Sequence, residues 1–187
     1  IYKSVATILT QVTVDPYDES SYTPLKVIGR LMTAEEAKVE EEKGNYTVKT
    51  ENGYRRIVAA PKPVAIVEID SIKALLDADQ LVIAGGGFPV MEQGSRLKGA
   101  SAVIEKDRTA GLLAKEVDAD VLMFLTGVNN VSLNYGTNHE ILLDRLTVTD
   151  AERYAKEGQF SAGSMLPKIE AGISFIEKGE GRAAVIT

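Results

Sequence analysis

Apolar positions over residues 64–187 switch repeatedly between helical spacing and short β-branched runs. That pattern predicts alternating helices and strands with short connections, hence an α/β fold with a parallel sheet. Asp70 is placed to cap a helix carrying Ile72, Leu75 and Leu76 on one face. Leu81-Val-Ile-Ala84 reads as a buried strand running into Gly85-Gly-Gly87. A second helix is expected over roughly Asp107 to Val117, and Val121-Leu-Met-Phe-Leu125 is the next strand. Thr149 with Glu152 suggests a capping box for a helix through Tyr154. Pro167 suits the first turn of a helix carrying Ile169, Ile173 and Ile176, and Arg182–Thr187 closes as a strand.

Residues 15–63 break this rhythm. Asp15-Pro16 and Thr23-Pro24 mark turns, and Thr33 with Glu36 can cap a glutamate-rich helix. Tyr46–Thr50 and Tyr54–Val58 flank Glu51-Asn-Gly53, a strong hairpin signal. The division expected is therefore a strand region over 1–14, a protruding lid over 15–63 and an α/β core over 64–187.

Composition narrows the chemistry. The 187 residues are 44% hydrophobic and 26% charged, enough to bury a core and too few apolar in any one run to span a bilayer. The net charge of −6, without a Lys/Arg cluster, argues against a nucleic-acid surface. Cysteine is absent, which excludes disulfides, thiolate metal sites and cysteine nucleophiles and fits a cytoplasmic protein. His139 is the single histidine, so no His-rich metal site can form, although carboxylates could still serve Mg²⁺. The chain starts without Met and ends on a strand, so it reads as a fragment.

Three stretches could carry chemistry. Gly85-Gly-Gly87 after a strand lets backbone approach a ligand and offers amides to an anion, although a tight turn needs no more. It matches neither the dinucleotide fingerprint nor the P-loop. Lys106-Asp107 stands where a loop enters a helix; the lysine can reach a phosphate that the helix start also favours. The aspartate can hold that lysine or accept from a metal-bound water. Gly163-Ser-Met-Leu-Pro-Lys168 feeds a further helix start and brings another lysine. Each alone reads as ordinary loop and cap structure. Together they make one anion site of the kind phosphoryl transfer needs. His139 reads as a surface residue, and Glu35, Glu36, Glu40, Glu41 and Glu42 as a solvated helix face.

The stretches Ala84–Val90, Ala102–Asp107, Leu133–Gly136 and Gly163–Glu170 resemble carbamate kinases of the amino acid kinase fold. Gln11–Pro16 through Lys26–Gly29 resembles that family's lid. The resemblance implies a three-layer α/β/α sandwich with a mostly parallel sheet. It implies reversible phosphoryl transfer between carbamoyl phosphate and ADP, giving ATP and carbamate, with Mg²⁺. Lys106 and Lys168 would contact the moving phosphoryl group, Asp107 would orient them, and Lys26 would reach in from the lid. Gly85, Gly86 and Gly87 would form the substrate loop. Thr126, Gly127 and Gly163 would border the nucleotide, with Tyr135 and Met165 flanking the adenine. A cytoplasmic homodimer in amino-acid (arginine) or purine-nitrogen catabolism is implied as well.

Three departures accompany the likeness. The family's N-terminal Gly-Gly-Asn loop is absent from these residues, and the glycine run is one shorter. Thr126-Gly-Val-Asn-Asn130 stands where the family has Thr-Asp-Val-Asp-Gly, so two carboxylates are missing. The alternative is therefore a catalytically weakened relative that binds nucleotide or metabolite in a regulatory role.

Overall fold

The computed structural model describes residues 2–24, 26–177 and 179–187; Ile1, Leu25 and Lys178 lie outside the described residues. In chain order the first elements are β1 (Val5–Thr7), β2 (Gln11–Val14), α1 (Glu19–Tyr22), β3 (Lys26–Met32) and α2 (Ala34–Glu42). Next come β4 (Tyr46–Thr50), β5 (Gly53–Val58), β6 (Pro63–Ile66), α3 (Ile69–Asp77), β7 (Leu81–Ile83), β8 (Phe88–Gln93) and β9 (Arg96–Gly99). The rest is α4 (Lys106–Glu116), β10 (Val121–Phe124), β11 (Val131–Leu133), β12 (Ile141–Leu143), α5 (Val148–Lys156), α6 (Met165–Ile176) and β13 (Ala183–Ile186).

These elements sort into two compact units. One holds the segment ending at Leu9, Glu68–Gly86 and Lys106–Thr187; the other holds Thr10–Val67 and Glu105 with the stretch from Gly87 before it. The second unit thus takes in β2, β6, β8 and β9, which flank or lie outside the 15–63 stretch.

The first unit is mixed α/β with parallel strand pairs. β1 lies parallel to β7, and β10 parallel to β13. On one side the strands meet helices: Ala114 of α4 and Ala171 and Phe175 of α6 close over Leu122 and Phe124 of β10. Gly111 permits the α4–α6 approach, because a Cβ there would stand 2.9 Å from that of Ala171. A second cluster joins Val131, Ala151, Phe160 and Ile169 of β11, α5, the loop after it and α6. The period-two alternation leaves the opposite strand face open. Val5, Leu81, Ile83, Val121 and Met123 are between 50% and 59% exposed. Leu81–Ala84 is therefore a strand as expected over Leu81–Ile83, but only Val82 turns inward. None of the helices among the described residues is long and apolar enough to cross a membrane.

Helix ends correct two capping assignments. Asp70 lies inside the first turn of α3; the N-cap is Glu68, which makes no side-chain cap bond. For α5 the cap is Thr147, whose hydroxyl accepts from Asp150 N–H, so Thr149 and Glu152 lie inside the helix. Pro167 is in the first turn of α6, where its missing N–H costs nothing.

The second unit contains a four-stranded sheet in the order β6-β2-β8-β9, parallel only between β2 and β8. Val12, Val14, Ile66 and Val90 form its buried side. Burying a side chain of this size is worth about 1.5–3 kcal/mol. A separate antiparallel sheet, β3-β5-β4, is closed by the expected hairpin, in which Thr50 pairs with Gly53. Helix α2 begins with the expected capping box: Thr33 Oγ1 accepts from Glu36 N–H, and Glu36 accepts from Thr33 N–H.

Candidate functional site

Helix starts place the cations of the first unit. Lys106 opens α4 and is exposed, with no ion-pair partner among the described residues. Asp107 follows in the first turn, 9% exposed. Lys168 sits near the start of α6, where the helix dipole disfavours a cation. Its ammonium donates to Asp107 Oδ2 at 2.8 Å and to Ser164 O at 3.3 Å, and both charged side chains are largely buried. A largely buried ammonium at the positive end of a helix needs compensating negative charge. Asp107 supplies one such group, and an incoming phosphate would supply another. Ser164 makes no side-chain cap bond; Met165 N–H donates instead to Ser161 Oγ at 3.2 Å and Leu166 N–H to Ser161 O at 3.0 Å.

The pair joins two cavities. One, of about 640 Å³, is lined by Gly85, Gly86, Lys106 and Asp107, with apolar walls from α3, α4, β7 and β10. Gly85 and Gly86 have φ of +96° and +74°, a backbone that other residues adopt only at a cost. The other cavity, of about 550 Å³, is lined by Thr126, Tyr135, Met165 and Lys168, together with Ser132, Asn134, Gln159 and Phe160. Thr126 Oγ1 donates to Val128 O and accepts from Val128 N–H, which pins the loop after β10. Gly127 between them is exposed and has open space where a side chain would go. Gly163, likewise exposed, immediately precedes Ser164 and Met165 of the wall.

Tyr135 is 68% exposed on a loop that Glu140 braces. Glu140 accepts from Ser132 Oγ at 2.6 Å and from Gly136 N–H at 3.3 Å. His139 is exposed on that loop, and its carbonyl accepts from Asn134 Nδ2. Sequence reasoning passed over Ser132, Asn134, Glu140 and Gln159, because single polar residues in a loop carry no motif. Asn134 takes the left-handed backbone at φ +53°, a conformation asparagine adopts more readily than most residues and visible only in three dimensions.

Two expected site residues belong to the second unit. Lys26, the first residue of β3, is ion-paired with Glu105 at 2.5 Å. Gly87 packs against Val12, whose Cγ2 would lie 2.4 Å from an added Cβ, so the third glycine is required by close approach. The glutamates of α2 are mostly engaged locally: Glu36 with Arg30, Glu40 with Lys43 and Asn45, Glu41 with Thr47. Among the described residues no group of three or more Asp, Glu or His side chains is arranged to hold a metal.

The chain is thus an α/β protein in which a cation and a carboxylate pair across two helix starts, each start lining a cavity. The description "Amino acid kinase family" matches residues 27–187. The chain belongs to that family. It is 50% identical to the carbamate kinase-like protein YqeA of Escherichia coli, over 100% of this chain and 61% of that protein. It is 48% identical to a carbamate kinase of Clostridium perfringens, over 100% of this chain and 60% of the relative. A solved carbamate kinase from Giardia lamblia bound to AMP-PNP superimposes with a TM-score of 0.89 at 37% identity, over 99% of this chain and 60% of that one. The chain thus spans about three-fifths of the length of these relatives.

Proposed function

We propose that these residues form the nucleotide-handling part of a carbamate kinase, which transfers a phosphoryl group reversibly between carbamoyl phosphate and ADP. The Lys168–Asp107 pair at 2.8 Å carries this reading, because Lys168 lines one cavity and Asp107 the other. In the transfer an ADP oxygen forms a bond to phosphorus as the bond to carbamate breaks, and carbamate leaves with the electron pair. Charge spreads over the phosphoryl oxygens, and Lys168 and Lys106 would stabilise it. Asp107 would keep Lys168 oriented. Thr126, Gly127, Gly163, Met165 and Tyr135 would border the nucleoside, and Gly85–Gly87 would border carbamoyl phosphate. Mg²⁺ would arrive with the nucleotide, since it commonly keeps waters and binds through phosphates rather than an all-protein cage. The same reading includes a cytoplasmic homodimer serving amino-acid or purine-nitrogen catabolism.

The test is ATP formation from carbamoyl phosphate and MgADP by the complete polypeptide. Lys168→Ala should lower turnover by about 10²–10³, more than the stability lost by unpairing Asp107 accounts for, as urea unfolding of the same variant checks. Near-normal turnover in that variant sinks the assignment.

A second reading is a relative that binds nucleotide with little turnover. It is favoured by exposed Gly127 and Asn129, where the family pattern places carboxylates. Calorimetric ADP binding without turnover would support it; ordinary turnover would remove it.

A further inference from the structure

We infer that Glu170 is a positioning residue for the phosphoryl transfer, acting through Arg108 to keep the side of α6 that carries Lys168 turned toward Asp107. The inference rests on the transfer proposed above. Arg108 Nη2 donates to Glu170 Oε2 at 2.7 Å, so α4 and α6 are tied a second time beside the Lys168–Asp107 contact. Glu170 is exposed and Arg108 half-buried. Neither lines the two cavities, so the pair can act only through what it holds in place.

The two ties flank one close contact. Gly111 of α4 meets Ala171 of α6, where an added Cβ would stand 2.9 Å from the alanine Cβ and 3.2 Å from its carbonyl oxygen. With each residue advancing about 100° around a helix, Asp107 lies about 40° to one side of Gly111 and Arg108 about 60° to the other. Around α6, Lys168 lies about 60° to one side of Ala171 and Glu170 about 100° to the other. Each helix thus carries one charge on either side of the contact, and unlike charges meet across it. A roll of α6 about its own axis would stretch one pair as it compressed the other. Exchanging partners is no escape, since Asp107 would then face Glu170 and Arg108 would face Lys168.

One pair alone would leave this motion free. The bonds from Lys168 Nζ to Asp107 and Ser164 fix the ammonium only relative to the helices that bear them. Gly111 and Ala171 bring the helices close but offer no large side chain to interlock. Arg108 supplies the stop. Its Nε is sealed from solvent without a hydrogen-bond partner among the described residues, which leaves the guanidinium dependent on Glu170 for compensation. A part-exposed pair of this kind adds little to stability. Misplacing a reacting group by about 1 Å, in contrast, can cost about 10²-fold in rate. The pair should therefore register in turnover and hardly in unfolding.

The experiment measures ATP formation from carbamoyl phosphate and MgADP by the complete protein and its Glu170→Ala, Arg108→Met and Arg108→Lys variants, with urea unfolding of each. Glu170→Ala and Arg108→Met should each lower kcat about tenfold while KM for both substrates stays unchanged. Arg108→Lys keeps the ion pair and should recover most of the rate lost in Arg108→Met. Glu170→Ala added to Lys168→Ala should cost nothing further, because the effect runs through Lys168. Glu170 is exposed, so its truncation leaves the core untouched and decides the question where Arg108→Met does not fold. Full kcat in Glu170→Ala, or a tenfold loss that persists in the Lys168→Ala background, overturns the proposal. Wild type that forms no ATP would overturn the transfer assignment itself, and this inference with it.

Discussion

Asp107 and Lys168 are each less than one-sixth exposed at the side chain, and their 2.8 Å contact crosses from α4 to α6. Losing the carboxylate charge would leave an ammonium facing the positive end of its own helix. Asp107→Asn keeps the shape and a weaker acceptor. The expected cost is about 1–2 kcal/mol in stability. Turnover should fall about tenfold or more, because Lys168 would lose its fixed orientation. Urea unfolding and ATP formation check both halves; unchanged turnover would remove the positioning role. The same scale shows what sequence could reveal of the site. Lys106, Asp107 and Lys168 stand in motifs at helix starts and were legible. Arg108 was not, since its meaning comes from Glu170, far away in the chain, accepting from its guanidinium.

Among the elements, α2 carries the clearest electrostatic signature. Glu36 accepts from Thr33 N–H and from Arg30, and the Arg30 guanidinium is the main reason its carboxyl is held down at about 2 from an ordinary 4.5. A depressed carboxyl contributes stability above its unfolded value and loses it as pH falls through the folded one. The window therefore runs from about 4.5 down to about 2. Glu36→Gln can still cap Thr33 N–H but loses the charge. Thermal unfolding should show wild type ahead of Glu36→Gln at neutral pH, with the gap closing across that window; a constant gap would contradict it. This capping box was readable because Thr33 and Glu36 satisfy it locally. The cap of α5 was placed two residues late because Thr147 and Thr149 each have an acid three residues on. The choice went to Thr147, the frame that turns Ala151 into the core. For α3 the strongest capping residue lost to Glu68 because packing of Ile72 set the start of the helix. The inward half of β7 and β10 was legible from apolar runs, but which residues face outward depends on the pleat.

At the scale of the molecule, the parallel pairs β1–β7 and β10–β13 bury one face and leave Val5, Leu81, Ile83, Val121 and Met123 on the other. Parallel strands are normally covered on both faces. An open apolar face of this kind favours association. Residues 1–187 expressed alone should therefore self-associate, and light scattering that shows a stable monomer would refute this. The second unit's connectivity has a different consequence, for the order of events in folding. β1 and β7 meet only after the chain has run through most of that unit, and the Lys3–Asp79 ion pair closes a separation of 76 positions. Hairpins form in about 1–10 μs, whereas closing long, flexible loops carries a greater entropy cost. The β3-β5-β4 sheet, assembled from neighbouring segments, can condense first and shorten the span that β1 and β7 must bridge. Gly53→Ala should test this order, since a Cβ there would lie 2.8 Å from Met32 O of the adjoining β3. Pulsed hydrogen exchange should then show slower protection of β1 and β7 amides, and an unaltered rate would separate the two events. A turn within one unit would in that way set the pace at which two strands of the other find each other.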